Sequence, residues 1–349
     1  MGGESRAQRW RTRAQLVFGL SLGLGLMAWF LGSLHWYELG QVMRDISWVW
    51  LAAAVAVMMV QYALHALRWG VLLKHVDPGI DFRLLWSATA VMWGFNTLLP
   101  LRAGNFLRPA VVARERQVPY TTLLFTTIAE YVCDTVGIVV MLMWMIALLP
   151  PERYESGFMA PVKLWGPRIG VLALVSLFLI VLLSSRQART LVQSLLRPLP
   201  SARVRAYAMG LFDQLVEGMA AVGHPLRLFQ ALVLTLGVWG GWLVAILCVL
   251  EAFAVDLPLD GALFMESSLT LSMMLPQAPG FLGLFQVVTE QTLAWYDTPV
   301  AKAEGVALVF WSVCFIPITL VGLYEGSKRG LGLLGNRGAV FDALVEEAE

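Results

Sequence analysis

Hydrophobic positions in this chain run in long blocks rather than alternating. Six stretches, at about 16–35, 48–67, 120–148, 168–184, 228–250 and 305–324, stay apolar over close to the ~20 residues that a helix needs to cross a ~30 Å hydrocarbon core. Two further pairs of apolar segments, 84–99 with 104–113 and 261–275 with 282–295, are shorter and are broken at their centres by proline and glycine. At 1.5 Å per residue an arm of about 16 residues reaches ~24 Å, so it enters a membrane but barely crosses it. The pattern predicts an all-α polytopic membrane protein with about six full transmembrane helices plus two re-entrant helical hairpins.

The two breaks are alike. TLLPLRAGNFLR (97–108) and MMLPQAPGFLGL (273–284) share a Pro-x-x-x-Gly core, Pro100 to Gly104 and Pro276 to Gly280, with Pro279 and Gly283 as additional breakers in the second. Irregular backbone at membrane depth is tolerated only where protein or a water-filled cavity satisfies its polar groups. Both breaks are therefore expected to face a site.

Charge decides which way each segment runs. The loop 185–227 carries Arg186, Arg189, Arg197, Arg203, Arg205 and Arg227 against Asp213 and Glu217, and the N-terminus carries Arg6, Arg9, Arg11 and Arg13, which puts both on the cytoplasmic side. Two spans return the chain there at Arg68, Lys74 and Arg83. Arg114 and Arg116 belong on that face too, so 84–113 enters and leaves from inside. Alternation then delivers Glu251, Asp256, Asp260 and Glu266 outside, the second broken pair opens outward, and the last span ends inside at Lys328, Arg329 and Arg337. Each half reads span, span, hairpin, span in opposite orientation, which is an inverted repeat with its site expected near the midplane. The organisation is a cytoplasmic N-terminus (1–15), a transmembrane domain (16–326) with halves at 16–148 and 168–326, and a cytoplasmic tail (327–349). Residues 185–227 form a connector within the second half. It is either an amphipathic helix broken by Pro198 and Pro200 or a solvated link. The cytoplasmic membrane of the cell is the expected location.

Composition agrees: 58% of residues are hydrophobic, 14% are charged and mean hydropathy is +0.70, well beyond a soluble domain. The arginine-rich start resembles a signal peptide, but no small-residue cleavage site follows, so 16–35 reads as a retained span. Cys133, Cys248 and Cys314 lie in apolar stretches without C-x-x-C spacing, and the four histidines show no metal-ligand pattern. No metal, cofactor or nucleic-acid partner is expected, and no P-loop, dinucleotide fingerprint or nucleophile–base pair is visible.

The chemistry concentrates around the first break. Glu130 and Asp134, four residues apart, share a helix face, with Glu130 ~15 Å along its span. Intramembrane carboxylates need partners, and Arg102 and Arg108 on the first hairpin are the expected ones. The two arginines also suit a phosphate, since guanidinium presents forked donors. Alternatively they only snorkel or pair with Glu130. Helix starts just past Gly104 and Gly280 would add backbone N–H groups to an anion site. Asn96, Asn105, Gln277 and Gln286 contribute neutral hydrogen-bonding groups, each equally readable as helix glue. Glu266 and Glu290 are expected to be hydrated interfacial carboxylates.

NTLLPLRAGNFLRP (96–109), AEYVCD (129–134) and LPQAPGFLGLFQ (275–286) resemble the motifs of the lysylphosphatidylglycerol synthase/flippase transmembrane-domain family over roughly residues 12–330. By position Arg102, Gly104, Arg108, Glu130 and Asp134 match its first motif region, and Pro276, Pro279, Gly280 and Gly283 its second. Asn105 and Gln286 stand where the family usually has acids. The resemblance implies the lipid-translocating part without the soluble synthase domain, acting on a membrane lipid, with a lipid-modifying enzyme as a partner class. The expectation is a translocase for a phosphate-containing or polyisoprenoid-linked lipid and not an enzyme. A transporter of a small soluble anion, a membrane enzyme using Glu130 or Asp134 as general base, and a scaffold remain as alternatives.

Overall fold

A computed structural model describes residues 34–99, 102–148, 186–197, 201–219, 224–273 and 279–330, with single residues outside these stretches. Among the described residues the regular structure is entirely helical. The α-helices are α1 (Trp36–Val42), α2 (Trp48–Leu73), α3 (Phe82–Leu98), α4 (Gly104–Arg116), α5 (Tyr120–Leu148), α6 (Arg186–Leu196), α7 (Ala202–Met219), α8 (Pro225–Ala252), α9 (Leu259–Met273), α10 (Leu284–Trp295) and α11 (Val300–Lys328).

Four of these, α2, α5, α8 and α11, are long and apolar enough to cross a membrane. They answer to the expected spans at 48–67, 120–148, 228–250 and 305–324; those at 16–35 and 168–184 lie almost wholly outside the described residues. Each interrupted apolar pair is represented by two short helices, α3 and α4 in the first and α9 and α10 in the second. Their arms of 17, 13, 15 and 12 residues reach about 18–26 Å, short of a ~30 Å core. In the loop region at 185–227, α6 and α7 flank the stretch containing Pro198 and Pro200.

The chain divides into two compact units, each drawn from segments far apart in sequence. The first takes the described residues within 1–60, 90–105 and 241–330. Here α10 packs against both α9 and α11, and α1 against α11. Phe285 sits between Phe310 and Phe315, with ring centroids 5.5 and 5.6 Å away. The end of α3 crosses α11 where Gly94 and Gly322 meet backbone to backbone. Such close approach by small residues is how helices gain contact where lipid offers no hydrophobic drive.

The second unit takes the described residues within 61–89 and 106–240. α7 packs along α5, where Gly218 lies against Phe125. Leu72, Ala129, Val132, Cys133 and Ala231 form a buried apolar cluster. All three cysteines are buried and not in a disulfide. The end of α4 is tied to the α2–α3 loop by Arg116 Nε donating to Asp77 Oδ2 at 2.7 Å. That hydrogen bond holds the Asp77 carboxyl below its ordinary range.

A side chain at Gly322 would run into the Ala90 carbonyl and Gly94. Gly322→Val is expected to destabilise by about 1–3 kcal/mol through overpacking, read as a lower unfolding midpoint in detergent. Gly210, with open space around it, should accept alanine without loss.

Candidate functional site

In the first unit, described residues bordering the two breaks come together. Arg102 lies just before α4 in the left-handed region, at φ 53°, a conformation that costs a non-glycine residue about 1–3 kcal/mol. Its half-buried guanidinium donates from Nη2 to the Met273 carbonyl at 2.7 Å and lies over the Phe281 ring, 5.1 Å from the centroid. Met273 ends α9, so its carbonyl is among those a helix leaves unpaired, and a cation is favoured there. On the other side Gly280, at φ 73°, approaches Thr97 so closely that a Cβ would lie 3.3 Å from the Thr97 carbonyl. Trp311 Nε1 donates to the Gly280 carbonyl at 2.6 Å.

The neutral polar residues hold these turns in shape. Asn96 Nδ2 donates to Asn105 Oδ1 at 2.8 Å, joining the end of α3 to the start of α4. A Cβ on Gly104 would strike the Met92 carbonyl and Asn96. Gln286 Oε1 accepts from the Gly283 N–H at 2.8 Å, capping α10. One expectation is corrected here: the helix after the second break starts at Leu284, not just past Gly280. Left-handed backbone at Gly280, Phe281 and Gly283 delays helix formation. Pro100, Pro276 and Gln277 lie outside the described residues, and Pro279 opens the short 3-10 turn Pro279–Phe281.

The second unit contains a buried charge cluster. Arg108 Nη1, on α4, donates to Glu130 Oε2 on α5 at 2.5 Å, and its guanidinium stacks 4.0 Å from the centroid of Trp69. Trp69 is held in turn by Nε1 donating to Thr126 Oγ1 at 2.9 Å. Asp134, one turn along α5, is bound by both terminal nitrogens of Arg68, at 2.5 and 3.0 Å. Arg68 also lies 3.6 Å from Glu130 and donates to Thr235 Oγ1 at 3.1 Å. Two guanidinium and two carboxylate charges cancel, a condition under which charges can be buried without driving the helices apart.

The cluster confirms Arg108 as the partner of Glu130 and corrects the pairing of Asp134. Arg102 precedes α4 and does not share the helical phase of Arg108; it engages the second hairpin. The partner of Asp134 is Arg68, which charge counting had treated as a cytoplasmic marker. Gln61, His65 and Arg68 recur at helical spacing on α2 and all are buried; that periodic polar stripe was the signal for an inward face. A second correction concerns Glu266. It is buried within α9, 1% exposed, rather than hydrated at an interface.

Removing one member of the cluster leaves a buried charge unmatched. Arg108→Ala is expected to cost about 3–5 kcal/mol. Combining Arg108→Met with Glu130→Gln should cost less than the sum of the two single changes, measured as a thermal double-mutant cycle in detergent.

The chain is 25% identical over 360 residues to Glycosyltransferase AglD of Haloferax volcanii, an alignment covering 96% of this chain and 56% of that protein. The chain thus spans little more than half of that relative's length. A relative bearing a glycosyltransferase name overturns the expectation of a protein without enzymatic function. No solved structure matches. The pattern describing the Lysylphosphatidylglycerol synthase TM region matches residues 16–322, the greater part of the chain and the region that contains both hairpins. This multi-pass membrane protein belongs to the lysylphosphatidylglycerol synthase transmembrane-region family.

Proposed function

We propose that this protein moves a phosphate-containing or polyisoprenoid-linked lipid between leaflets, with the headgroup phosphate received at the junction of the two hairpins. The observation that carries this reading is Arg102. It is a half-buried guanidinium where two membrane-depth helix breaks touch, bound to the end of one hairpin arm and placed just before the other hairpin's second helix. A phosphate offers that guanidinium a stronger, charged acceptor than a carbonyl. Arrival of the lipid would exchange the Met273 contact for a phosphate contact and loosen the two hairpins from each other. Arms too short to cross the membrane support an alternating motion of this kind. Arg68, Arg108, Glu130 and Asp134 form in this reading a self-neutralised structural cluster. In this reading residues 84–113 enter from the cytoplasmic face, 261–295 from the opposite face, and both termini lie inside. A lipid-modifying enzyme that supplies or consumes the cargo is the implied partner.

A second reading rests on the glycosyltransferase name of the relative: the chain takes part in transferring a sugar to a membrane lipid. Incubating purified protein with nucleotide sugars and polyisoprenyl phosphate, then analysing the lipid by mass spectrometry, separates the two.

Reconstituted vesicles test the first reading directly. Protein-dependent exchange of a fluorescent polyisoprenyl phosphate between leaflets is expected. Arg102→Ala should slow it about 10- to 100-fold, the worth of one charge-assisted hydrogen bond, while Arg102→Lys keeps part of the rate. Unchanged exchange in Arg102→Ala would remove that residue from the site, and absence of exchange for every lipid class would remove the function.

A further inference from the structure

Every buried acid but one among the described residues has a hydrogen-bonding partner. Glu130 has Arg108, Glu304 has His35 and Asp260 has the Tyr296 hydroxyl. Glu266 differs. It sits in the middle of α9, and both its carboxylate oxygens are buried with no hydrogen-bond partner among the described residues. No ion pair among the described residues reaches it either. Its neighbours on α9, Leu263, Met265 and Leu269 among them, are buried and apolar. From α10, the helix packed against α9, the titratable group is Glu290, which is partly exposed. On α9 itself the other acid is Asp260, already bonded to Tyr296.

A charged carboxylate in such a place is strongly disfavoured unless something joins it. The joining group is constrained. A hard metal ion needs about six or more oxygen ligands, and no group of three His, Cys, Asp or Glu side chains forms a metal set among the described residues. A proton needs one oxygen. Ser267 Oγ on α9 and Gln286 Nε2 on α10 are likewise buried without a hydrogen-bond partner among the described residues. A buried polar atom left unmatched is where a protein admits a transient polar group or water.

We propose that Glu266 is a proton-binding carboxyl that couples lipid movement to proton transfer. This deepens the translocase reading and rests on it. Glu266 carries its proton while α9 is packed as described here, and gives it up when movement of the hairpin arm opens that position to water. The geometry links the proton to the cargo. Glu266 is seven residues from Met273, about 10 Å along the same helix, and the Met273 carbonyl is the group Arg102 holds. Displacement of the Met273 carbonyl from Arg102 by a lipid phosphate frees the end of the arm that buries Glu266. In each cycle the carboxyl O–H bond breaks to water on one side and re-forms from water on the other, so one proton crosses with no redox change.

Two measurements on the full chain test this. The first is infrared difference spectroscopy of the protein in vesicles of phosphatidylethanolamine and phosphatidylglycerol at neutral pH. A protonated-acid carbonyl band is expected in the wild type and absent in Glu266→Gln; if the two spectra share that band unchanged, Glu266 is not the proton site. The second uses the same vesicles with a fluorescent polyisoprenyl phosphate and an imposed difference of one pH unit. With one proton per lipid, the steady leaflet ratio in the wild type should shift up to about tenfold. Glu266→Gln should leave the ratio indifferent to the gradient, and Glu266→Asp should restore part of the shift. A shift that persists in Glu266→Gln, or none in a wild type that does exchange lipid, overturns the coupling. If no lipid is exchanged at all, the translocase reading and the coupling fall together. The infrared band then still reports whether Glu266 holds a proton.

Discussion

A charge inside a helix made to sit in hydrocarbon must be answered by protein, because no water is there to answer it. That constraint organises the second unit. Arg68, Arg108, Glu130 and Asp134 come from three helices, α2, α4 and α5, and their charges sum to zero in a buried cluster. The bidentate grip of Arg68 on Asp134 fixes both rotation and depth of α2 against α5, since a shift of one residue would break two hydrogen bonds together. Trp69, the residue after Arg68, closes over Arg108. One turn of α2 thereby serves both ion pairs.

The same constraint acts on backbone groups in the first unit. Interrupting a helix exposes carbonyls and N–H groups that must find partners. Here they are supplied by specific side chains: Arg102 for Met273, Trp311 for Gly280 and Gln286 for Gly283. The turns are unequal in chemistry. The first contributes the cation, the second contributes carbonyls and an aromatic face. In the function proposed above, an anion arriving here would compete with the Met273 carbonyl for Arg102, so that its binding and the release of that contact would be a single event.

Much of this was legible in the sequence. Blocks of apolar residues with proline and glycine at their centres gave the helices and the broken pairs, because a helix in lipid is specified by length and hydropathy alone. The expectation that the two breaks share a site came from reading the halves as an inverted repeat, and the i, i+4 spacing of Glu130 and Asp134 placed the two on one helix face. Arg68 was misread because an arginine near the end of a span satisfies the positive-inside rule as well as it satisfies a buried carboxylate. Only the polar stripe through Gln61 and His65 separates those readings. Glu266 was misread for a related reason: counting residues from a span end gives depth along the helix and says nothing about which side the helix presents to its neighbours. The delayed start of α10 depends on left-handed turns at Phe281 and Gly283, which a glycine count does not locate.

The most direct measurement is a cryo-electron microscopy structure of the protein in nanodiscs that contain polyisoprenyl phosphate. The account expects phosphate density at hydrogen-bonding distance, about 2.7–3.2 Å, from the Arg102 guanidinium, with the Met273 carbonyl released. Phosphate density bound elsewhere, with the Arg102–Met273 contact intact, would contradict it.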